Sequence, residues 1–354
     1  MKLVFTGACL RGIQLILPAN EVRFENEIAD YNFDPHQSAK LKKVMGFDRR
    51  RVVTEGVTSS DLVVAGFEAL SRSGDLSLDS LDALIVVTQT PDYLIPGTSY
   101  VIHGRLKMSR DMFCIDINQG CAGFIVGLIT AFTLLSQKNF RRVALVNVDV
   151  ASRLVASGDR NSRPIVGDAA AITIIDADDQ APLINGNMQV DGSGWDSLMV
   201  PAGGMKIRPS PATHTPQSDA NGNVRSLENL VMKGDAVFNF VMREVPPMIE
   251  ALLQDRGIGM SQVDSFLFHQ PNPFMLKKLA QKLDLPDGKM PMNLVPRFGN
   301  SSGVSIPAVL CTNFDTAYFS QSRLLCLAGF GVGLTWGSLL MPMQNLSFLN
   351  TLEI

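Results

Sequence analysis

The chain has 354 residues, of which 46% are hydrophobic and 18% are charged, and its formal net charge at pH 7 is −3. This length exceeds what one hydrophobic core usually fills, so we expect two domains or two fused halves. The weak negative charge and the lack of a long basic run argue against a nucleic-acid partner. The five cysteines are irregularly spaced, which argues against a disulfide framework or a zinc site and indicates a reducing compartment, the cytoplasm.

The first predicted elements alternate between strand and helix. We expect a strand from Leu3 to Ala8 and a polar helix from Glu21 to Tyr31. The basic segment Lys40 to Arg51 follows, and its side chains either face solvent or meet a phosphate. Apolar residues at helical spacing predict a helix over Ser60 to Arg72, and a β-branched run predicts a strand over Leu84 to Thr88. A helix that leads into a strand is typical of α/β architecture.

The next stretch places a cysteine where a strand turns into an apolar helix. Residues Met112 to Ile115 predict a buried strand, and Ala122 to Leu135 predict an uncharged helix. Cys121 therefore lies at a helix N-terminus, where unpaired N–H groups and the positive end of the helix dipole favour a thiolate. Gly120 and Gly123 keep side chains away from the sulfur. Cys121 is a candidate nucleophile; the alternative is a small buried cysteine of the core.

The same apolar helix raises the question of a membrane span. The uncharged run from Ile117 to Gln137 is long enough to cross a bilayer, which takes about 20 apolar residues. It follows a strand and begins with Asn-Gln-Gly-Cys, so we expect a buried central helix and no membrane span. Two further strands, Val143 to Val148 and Ala169 to Asp176, complete an alternation that predicts a largely parallel sheet covered on both faces.

The second half of the chain repeats this pattern. A helix from Val245 to Gln254 leads into a strand from Phe266 to Phe268, and the glycine-flanked segment Gly299 to Gly303 opens another apolar helix. The last strand is expected at Gly329 to Trp336. This weak internal duplication predicts an α/β fold of two similar halves about a pseudo-twofold axis, residues 1–182 and 183–354. The loop Pro201 to Leu227, which precedes the repeated elements of the second half, is a lid, a partner surface or simply mobile.

Two polar residues of the second half are candidates for chemistry. His269 ends a predicted buried strand, where open α/β sheets place their ligands. The other histidines, His36, His103 and His214, lie in polar or ambiguous settings. Asn300 is either a turn or helix cap, or a neutral donor to a developing enolate or oxyanion. The order Cys, His, Asn also occurs in papain-like proteases, but their local signature around the cysteine is absent.

Four segments together resemble the 3-oxoacyl-acyl-carrier-protein synthase III family of the thiolase-like superfamily: Gln119 to Phe124, Phe268 to Asn272, Phe298 to Pro307 and Gly331 to Ser338. Their order and spacing match the family, and the resemblance runs from the N-terminal strand to about Met341. It implies a duplicated fold of αβαβα layers, with the nucleophile in the first half and the His and Asn in the second half.

The resemblance implies a role for each candidate residue. Cys121 is the nucleophile that becomes acylated, and its backbone N–H and that of Val332 form the oxyanion hole. His269 and Asn300 bind the carbonyl of a malonyl thioester during decarboxylation. The resemblance also implies three substrate-binding positions, two in the pantetheine tunnel and one that contacts coenzyme A: Asn272, Gly234 and Arg160.

The chain also departs from the family in two places. Members that start from acetyl-CoA commonly hold the adenine between an aromatic residue and an arginine, but Lys40 to Met45 contains neither, which favours a primer on a carrier protein. The position two residues after Asn272 is often basic in the family, and here it is Phe274. The predicted helix Phe274 to Leu283 exposes Lys277, Lys278 and Lys282, which either dock an acidic carrier protein or form an ordinary solvated face.

The reaction that the resemblance implies is a decarboxylative condensation. An acyl group passes from a coenzyme A or carrier-protein thioester to Cys121, and the enolate from malonyl-acyl-carrier protein attacks it to give a 3-oxoacyl product for fatty-acid or related biosynthesis. No metal or redox cofactor is needed, and a homodimer is expected. One alternative is an acyltransferase of the same fold that acts on a hydroxyl or amine; the presence of Asn300 beside His269 favours condensation. Another is a catalytically silent partner subunit, against which the intact Cys, His and Asn set argues.

Overall fold

The computed structural model describes residues 1–31 and 34–354. In these ranges its helices are α1 (Pro35–Met45), α2 (Ser59–Ser73), α3 (Thr98–Leu106), α4 (Gly123–Leu135), α5 (Pro211–His214), α6 (Gly234–Arg256), α7 (Pro273–Lys282), α8 (Val295–Phe298) and α9 (Ser305–Asn313). Its strands are β1 (Lys2–Phe5), β2 (Ala8–Leu17), β3 (Glu21–Arg23), β4 (Arg49–Arg51), β5 (Ala83–Val87), β6 (Phe113–Ile117), β7 (Arg142–Asp149), β8 (Ala169–Ala177), β9 (Ile184–Val190), β10 (Leu198–Met199), β11 (Gln217–Ser218), β12 (Val224–Arg225), β13 (Val231–Met232), β14 (Ser265–Phe268), β15 (Arg323–Gly331), β16 (Thr335–Met343) and β17 (Phe348–Glu353).

The larger sheet has six strands in the order β17-β2-β8-β7-β5-β6. Strand β17 runs parallel to β2, and β7, β5 and β6 run parallel to one another, whereas β8 is antiparallel to both neighbours. Every residue of β5 is buried. A strand that is buried on both faces has to lie between two helical layers.

The second sheet has five strands in the order β1-β9-β16-β15-β14. Strands β14 and β15 are parallel, and the other neighbours are antiparallel. The largely parallel arrangement predicted from the first half is not repeated here, and the strand predicted at Gly329 to Trp336 is instead the end of β15, a turn and the start of β16. A short turn after Gly331 joins β15 directly to β16, and so tight a connection can only return an antiparallel strand.

Helices and sheets alternate in five layers. Helix α2 packs on the six-stranded sheet, α6 packs on the five-stranded sheet, and α4 and α9 lie between the two sheets. The central core joins side chains of both inner helices, such as Leu128 and Leu310, to those of both sheets. The predicted layered α/β fold is confirmed, and α4 is the buried central helix that the sequence predicts. None of the helices in the described ranges is long and apolar enough to cross a membrane.

The two sheets exchange their terminal strands. Strand β1 lies beside β9 in the five-stranded sheet, and β17 lies beside β2 in the six-stranded sheet. The remaining strands of the larger sheet precede residue 182, and those of the smaller sheet follow residue 183. The division into residues 1–182 and 183–354 stays a prediction, because strands cross that boundary in both directions.

Most predicted elements are present within one to three residues at either end. The predicted helices over Ser60 to Arg72 and Phe274 to Leu283 are α2 and α7. The predicted strands before and after the Cys121 helix are β5, β6, β7 and β8, and the one that leads to His269 is β14. Strand β6 is not buried as predicted, because it lies at the edge of its sheet and exposes Phe113. The helix predicted from Val245 begins at Gly234 instead and contains Pro246 and Pro247. Its first turns bury apolar side chains against the sheet, and this packing outweighs the hydrogen bonds that proline removes.

Two predictions near the N-terminus are wrong. The strand predicted from Leu3 to Ala8 is divided by Gly7, which has a left-handed backbone (φ +74°). The polar helix predicted from Glu21 to Tyr31 is strand β3 followed by short 3-10 turns. Strand β3 pairs in antiparallel fashion with β4, so a tertiary contact overrides the local helical preference.

The basic segment Lys40 to Arg51 is held by acidic partners. Arg50 is 3% exposed and pairs with the buried Glu27. Arg51 pairs with Glu353 at the other end of the chain. These two arginines therefore neither form a solvated face nor bind a phosphate. Their ion pairs connect β4 to other parts of the fold.

Candidate active site

Cys121 lies between strand β6 and helix α4, at the predicted position. The helix begins at Gly123, so the cysteine immediately precedes its first turn. The side chain is half-buried and lines a cavity of about 1210 Å³, the main cavity of the site. The nucleophile of the sequence hypothesis therefore faces a space large enough for a substrate.

Glycines allow the second half of the chain to approach this cysteine closely. A Cβ atom added to Gly331 would lie 2.6 Å from Cβ of Cys121 and 2.9 Å from its sulfur. A Cβ atom added to Gly303 would lie 2.9 Å from the carbonyl oxygen of Gly120. Atoms other than hydrogen cannot approach so closely without displacement, so these two glycines allow the β15–β16 turn and the Asn300 loop to pack against the nucleophile.

The thiol of Cys121 is protonated in the resting protein. Burial raises its pKa to about 11, and the nearby carboxylate of Asp149 also raises it. Hydrogen bonds with the backbone of Val332, with its own backbone and with the Ser302 side chain lower it, but they do not offset burial. The predicted thiolate is not the resting state, because desolvation of the sulfur outweighs the hydrogen bonds that favour the charged form. Loading the cysteine therefore needs a proton acceptor.

The contact between the backbone of Val332 and the sulfur bears on the oxyanion hole. Both backbone groups that the resemblance assigns to it, those of Cys121 and Val332, form hydrogen bonds with the sulfur of Cys121. Val332 belongs to the turn between β15 and β16, next to Gly331. Two N–H donors beside the attacking sulfur are the arrangement that stabilises a tetrahedral oxyanion.

His269 directly follows strand β14 and is 2% exposed. Its backbone N–H donates to the carbonyl of Ala328 at 2.8 Å, and its Nδ1 lies 2.8 Å from the hydroxyl oxygen of Ser305. Burial lowers the pKa of His269 to about 3, although a hydrogen bond with the backbone of Ser302 acts in the opposite direction. The imidazole is therefore neutral at physiological pH.

Asn300 makes a turn-capping contact and also has a side-chain donor at the cavity. Its Oδ1 accepts the backbone N–H of Ser302 at 3.0 Å, which is a turn-capping contact. Its backbone pairs with that of Val166, and its side chain lines the same cavity as Cys121. No residue of the described ranges accepts a hydrogen bond from its Nδ2. A neutral N–H₂ group at the cavity wall can donate to a substrate oxygen.

The three residues assigned to substrate binding also line this cavity. Asn272 is the N-cap of α7, where its Oδ1 accepts the N–H of Met275 at 2.8 Å, and Gly234 is the first residue of α6. Arg160 lies in the wall near Arg225, which belongs to the long loop and is paired with the buried Asp159. The loop that the sequence described as a lid, a partner surface or mobile is thus anchored and forms part of the cavity wall.

The remaining wall of the cavity is mostly apolar. Side chains from α1, α6, α7 and the segments around β10 and β13 contribute Leu41, Met45, Phe47, Leu198, Met199, Val231, Met232, Val237, Phe238, Phe274 and Met275. A largely apolar channel with a few polar groups at its end fits a flexible, uncharged arm that carries an acyl group.

Three residues of the site were missed by the sequence reading. Ser302 and Ser305 belong to the Asn300 segment, and Asp149 is the last residue of β7. Asp149 is 2% exposed, yet it lines the cavity beside Cys121. Its signal in the sequence was its position at the end of a predicted buried strand, the same signal that identified His269.

The other histidines lie elsewhere. His103 contacts the carbonyl of Ser109 at 2.8 Å, His214 is exposed beside Glu228, and His36 is exposed at the start of α1. None of the three lines the main cavity. Within residues 1–31 and 34–354 no group of three or more His, Cys, Asp or Glu side chains could hold a metal ion.

The other cysteines have less favourable settings for nucleophilic attack. Burial raises the pKa of Cys311 and Cys326 beyond that of Cys121, and it raises the pKa of Cys9 to about 11. None of these side chains lines the main cavity. All five cysteines are free thiols.

Known proteins are similar to this chain in both sequence and fold. The family described as 3-oxoacyl-[acyl-carrier-protein (ACP)] synthase III matches residues 115–192, and its C-terminal counterpart matches residues 253–343. The beta-ketoacyl-[acyl-carrier-protein] synthase III of Lactococcus lactis subsp. lactis is 33% identical over 82% of this chain and 86% of its own length. The enzyme of the same name from Synechococcus sp. is 32% identical, over 85% of this chain and 86% of its own length.

A solved structure extends the similarity to the whole chain. The crystal structure of 3-oxoacyl-(acyl-carrier protein) synthase from Burkholderia xenovorans LB400 has a TM-score of 0.92 and 31% identity, and the match covers 100% of this chain and 99% of that one. This likeness confirms the thiolase-like fold class. Taken with the identities above, it shows that the chain belongs to the 3-oxoacyl-[acyl-carrier-protein] synthase III family of acyl-transferring condensing enzymes.

Proposed function

We propose that the protein condenses an acyl thioester with malonyl-acyl-carrier protein, with loss of CO₂, to give a 3-oxoacyl-acyl-carrier protein. The observation that carries the proposal is the meeting of Cys121 and Asn300 at one cavity, with His269 buried next to Ser302 and Ser305 of the Asn300 loop. This arrangement provides a nucleophile and two neutral hydrogen-bonding groups, which are the groups that the two half-reactions need.

In the first half-reaction Cys121 is acylated. The sulfur attacks the thioester carbonyl, and the backbone N–H groups of Cys121 and Val332, which contact the sulfur, bind the oxygen that becomes negative. Collapse of the adduct expels the carrier thiol and leaves an acyl-cysteine. The reaction is thereby divided into two easier steps.

In the second half-reaction the malonyl group loses CO₂ and leaves an enolate. Asn300 and a neutral His269 donate hydrogen bonds to the enolate oxygen without adding a charge that would hold the malonyl carboxylate in place. The enolate carbon attacks the acyl-cysteine, the bond between the acyl carbon and the cysteine sulfur breaks, and the released thiolate takes one proton from water. These steps need no metal or redox cofactor, so we expect full activity after dialysis against a chelator.

The test uses the same protein in two assays. Incubation with acyl-CoA and acyl-carrier-protein thioesters of increasing chain length, followed by intact-mass analysis, measures acylation. Release of CO₂ from labelled malonyl-acyl-carrier protein measures decarboxylation. We expect acylation to require Cys121, and we expect CO₂ release to increase when an acyl primer is added. Acylation without any CO₂ release, with transfer to an alcohol or amine, would instead establish the acyltransferase alternative.

Helix α7 is the proposed docking surface for the carrier protein. Lys277, Lys278 and Lys282 are exposed on it, and its N-cap, Asn272, lines the cavity. An acidic carrier that docks there would have its prosthetic arm directed at the cavity entrance. The double variant Lys277→Glu Lys278→Glu should raise KM for carrier-protein substrates and leave CoA thioesters unchanged, whereas Lys138→Glu, on another surface, should change neither. If the lysines of α7 form only a solvated face, the double variant and Lys138→Glu should have the same KM for carrier-protein substrates.

A homodimer is proposed from the region between residues 88 and 135. It exposes several large apolar side chains, among them Leu94 (74% exposed), Ile95 (88%) and Phe113 (43%), and β6 is an edge strand of the six-stranded sheet. An edge strand and an apolar surface of this kind are usually covered by a partner. Sedimentation equilibrium should give twice the chain mass, with an interface above about 2,000 Å². A stable, active monomer would contradict this proposal.

A further inference from the structure

Asp149 is a buried carboxylate that the mechanism above does not use. Its side chain is 2% exposed and lines the cavity beside Cys121. One oxygen, Oδ1, accepts hydrogen bonds from the backbone N–H of Gln89 at 2.7 Å and from the hydroxyl groups of Thr88 and Thr90 at 3.3 Å. Within the described ranges no cation forms an ion pair with it. A buried carboxyl without a cation costs stability, so its presence at the nucleophile calls for a chemical explanation.

Ser302 connects this carboxylate to the nucleophile. Cys121, Asp149 and Ser302 line the same cavity, and the Ser302 side chain interacts with both the Cys121 thiol and the Asp149 carboxyl. Its backbone N–H donates to Oδ1 of Asn300, and its backbone also contacts His269. Ser302 has a left-handed backbone (φ +53°), which is unfavourable for a residue with a side chain and is typical of functional sites. The loop therefore holds this hydroxyl in place at a conformational cost.

We propose that Asp149 accepts the thiol proton of Cys121 through the Ser302 hydroxyl when the cysteine is acylated, and that His269 and Asn300 serve the later enolate step. This inference rests on the proposed function, because it assigns the proton transfer of the first half-reaction. It assigns Ser302 as a catalytic residue in contact with the reacting sulfur. Asp149 acts through Ser302 and is a positioning residue that stores the proton.

The proton transfer is balanced within the site. As the sulfur forms its bond to the acyl carbon, the S–H proton passes to the Ser302 oxygen and the O–H proton of Ser302 passes to Asp149. Collapse of the tetrahedral adduct breaks the bond between the acyl carbon and the carrier sulfur. The departing thiolate takes the proton back along the same path and leaves as a thiol. No external base, oxidant or reductant takes part.

The relative basicity of the buried groups favours this assignment. Burial raises the pKa of Asp149 to about 6, whereas burial lowers the pKa of His269 to about 3. Asp149 is therefore the stronger base of the two. Around the carboxylate, the described neighbours Thr88, Gln89, Thr90 and Ser302 are neutral, and the ionisable group that faces it from another element is the Cys121 thiol. The path from sulfur to carboxylate thus has one ionisable group at each end.

The experiment measures the rate of Cys121 acylation against pH by intact mass, in the full-length protein. The parent protein should load faster as pH rises through about 6. Asp149→Asn should lose this pH dependence and load about 10²-fold more slowly at pH 7, the usual size of a lost general base. Ser302→Ala should slow loading similarly, and the double variant should load no more slowly than either single variant, because both act in one path.

A second buried carboxylate provides the control. Asp168 is 0% exposed and accepts the hydroxyl of Ser152, so it resembles Asp149 in burial and partner, but it does not line the cavity. Asp168→Asn should keep the pH dependence of loading. Circular dichroism checks that each variant is folded, and the change in the pH profile distinguishes a proton acceptor from a residue that only supports the fold.

Two outcomes would overturn the inference. If Asp149→Asn loads as fast as the parent or faster, the carboxylate acts only as a negative charge that holds the thiol protonated, because its removal then favours the thiolate. If the variant keeps the rise through pH 6, another group takes the proton. Failure of the proposed function is distinct, because the parent protein itself would then fail to load or to release CO₂.

Discussion

The Nδ1 atom of His269 lies 2.8 Å from the hydroxyl oxygen of Ser305, the first residue of α9. The same hydroxyl oxygen accepts the backbone N–H of Gln270 at 3.3 Å, so its own hydrogen is free to point at Nδ1. A hydrogen bond with the backbone of Ser302 raises the pKa of the ring, which is the effect of a carbonyl that accepts a ring N–H. We infer the tautomer with the proton on Nε2, which makes His269 a neutral donor.

Ser305→Ala should therefore weaken the second half-reaction. Without the serine hydroxyl the ring is free to turn or to adopt the other tautomer, and the proton no longer stays on Nε2. We expect CO₂ release to fall about tenfold, less than for removal of the donor itself, which costs roughly 10²-fold to 10³-fold. Loading of Cys121 should stay close to that of the parent protein. Equal losses in both assays would show that Ser305 supports the fold and not the tautomer.

Cys121 should be the single cysteine that becomes acylated. It alone among the five cysteines lines the main cavity, and burial raises the pKa of Cys311 and Cys326 even further than its own. Peptide mapping after incubation with a labelled acyl thioester should place all of the label on Cys121, and Cys121→Ser should remove it. Label on Cys9 or Cys114 would contradict the assignment of the nucleophile.

Asn300→Ala should separate the two half-reactions. Loss of the Nδ2 donor removes a hydrogen bond made only to the enolate, so condensation should fall by about 10²-fold to 10³-fold while loading stays within about tenfold. His269→Ala should reduce condensation by a similar factor. Parallel mass-shift and CO₂-release assays give both numbers.

Asn300→Asp is the matched control for this variant. It keeps the oxygen that accepts the Ser302 N–H and replaces the N–H₂ donor with a second carboxyl oxygen, which also introduces a negative charge. If Asn300→Asp decarboxylates like the parent protein while Asn300→Ala does not, the residue has a turn-capping role alone, and the condensing mechanism has to be revised.

A variant of Arg160 tests whether the cavity binds acyl-CoA or acyl-carrier-protein thioesters. Arg160 lines the cavity, and burial lowers the pKa of its guanidinium, although Asp219 nearby raises it. If this side chain binds a phosphate or stacks on adenine, Arg160→Ala should raise KM for CoA thioesters by about tenfold and leave carrier-protein thioesters nearly unchanged. Steady-state kinetics with one acyl chain on both carriers measures the ratio. A shift of both KM values by the same factor would indicate a structural role.

Asp149→Asn should stabilise the protein at neutral pH. The pKa of Asp149 is raised from 3.8 to about 6 by burial in the folded state, so above pH 6 the unfolded chain ionises this group more easily than the folded protein does. Burial of the carboxyl therefore costs up to about 3 kcal/mol at pH 7.5, and this cost vanishes as the pH falls below about 4. Urea unfolding at the two pH values should show a gain for the variant at pH 7.5 only. A loss of stability at both pH values would mean that the amide of the variant does not fit the three hydrogen-bond donors around Oδ1 of Asp149.

The sequence alone predicted the layered α/β fold and the family, which are confirmed, and it identified Cys121, His269 and Asn300 as the candidate residues for chemistry. Each carries a local signal: a cysteine between a strand and an apolar helix, a histidine at the end of a buried strand, and an asparagine between glycines. Such signals depend on neighbours along the chain, and so one sequence reveals them. The four motifs in order then identified the family.

The tertiary structure alone decided the protonation of the site. The helix N-terminus predicts a thiolate at Cys121, yet burial by elements from the other half of the chain raises its pKa to about 11. The Asp149 carboxylate and the Ser302 hydroxyl, 153 residues apart in number, meet the same sulfur only after the two sheets pack around α4 and α9. Desolvation and contacts between distant residues are properties of the packed chain, and local spacing does not contain them.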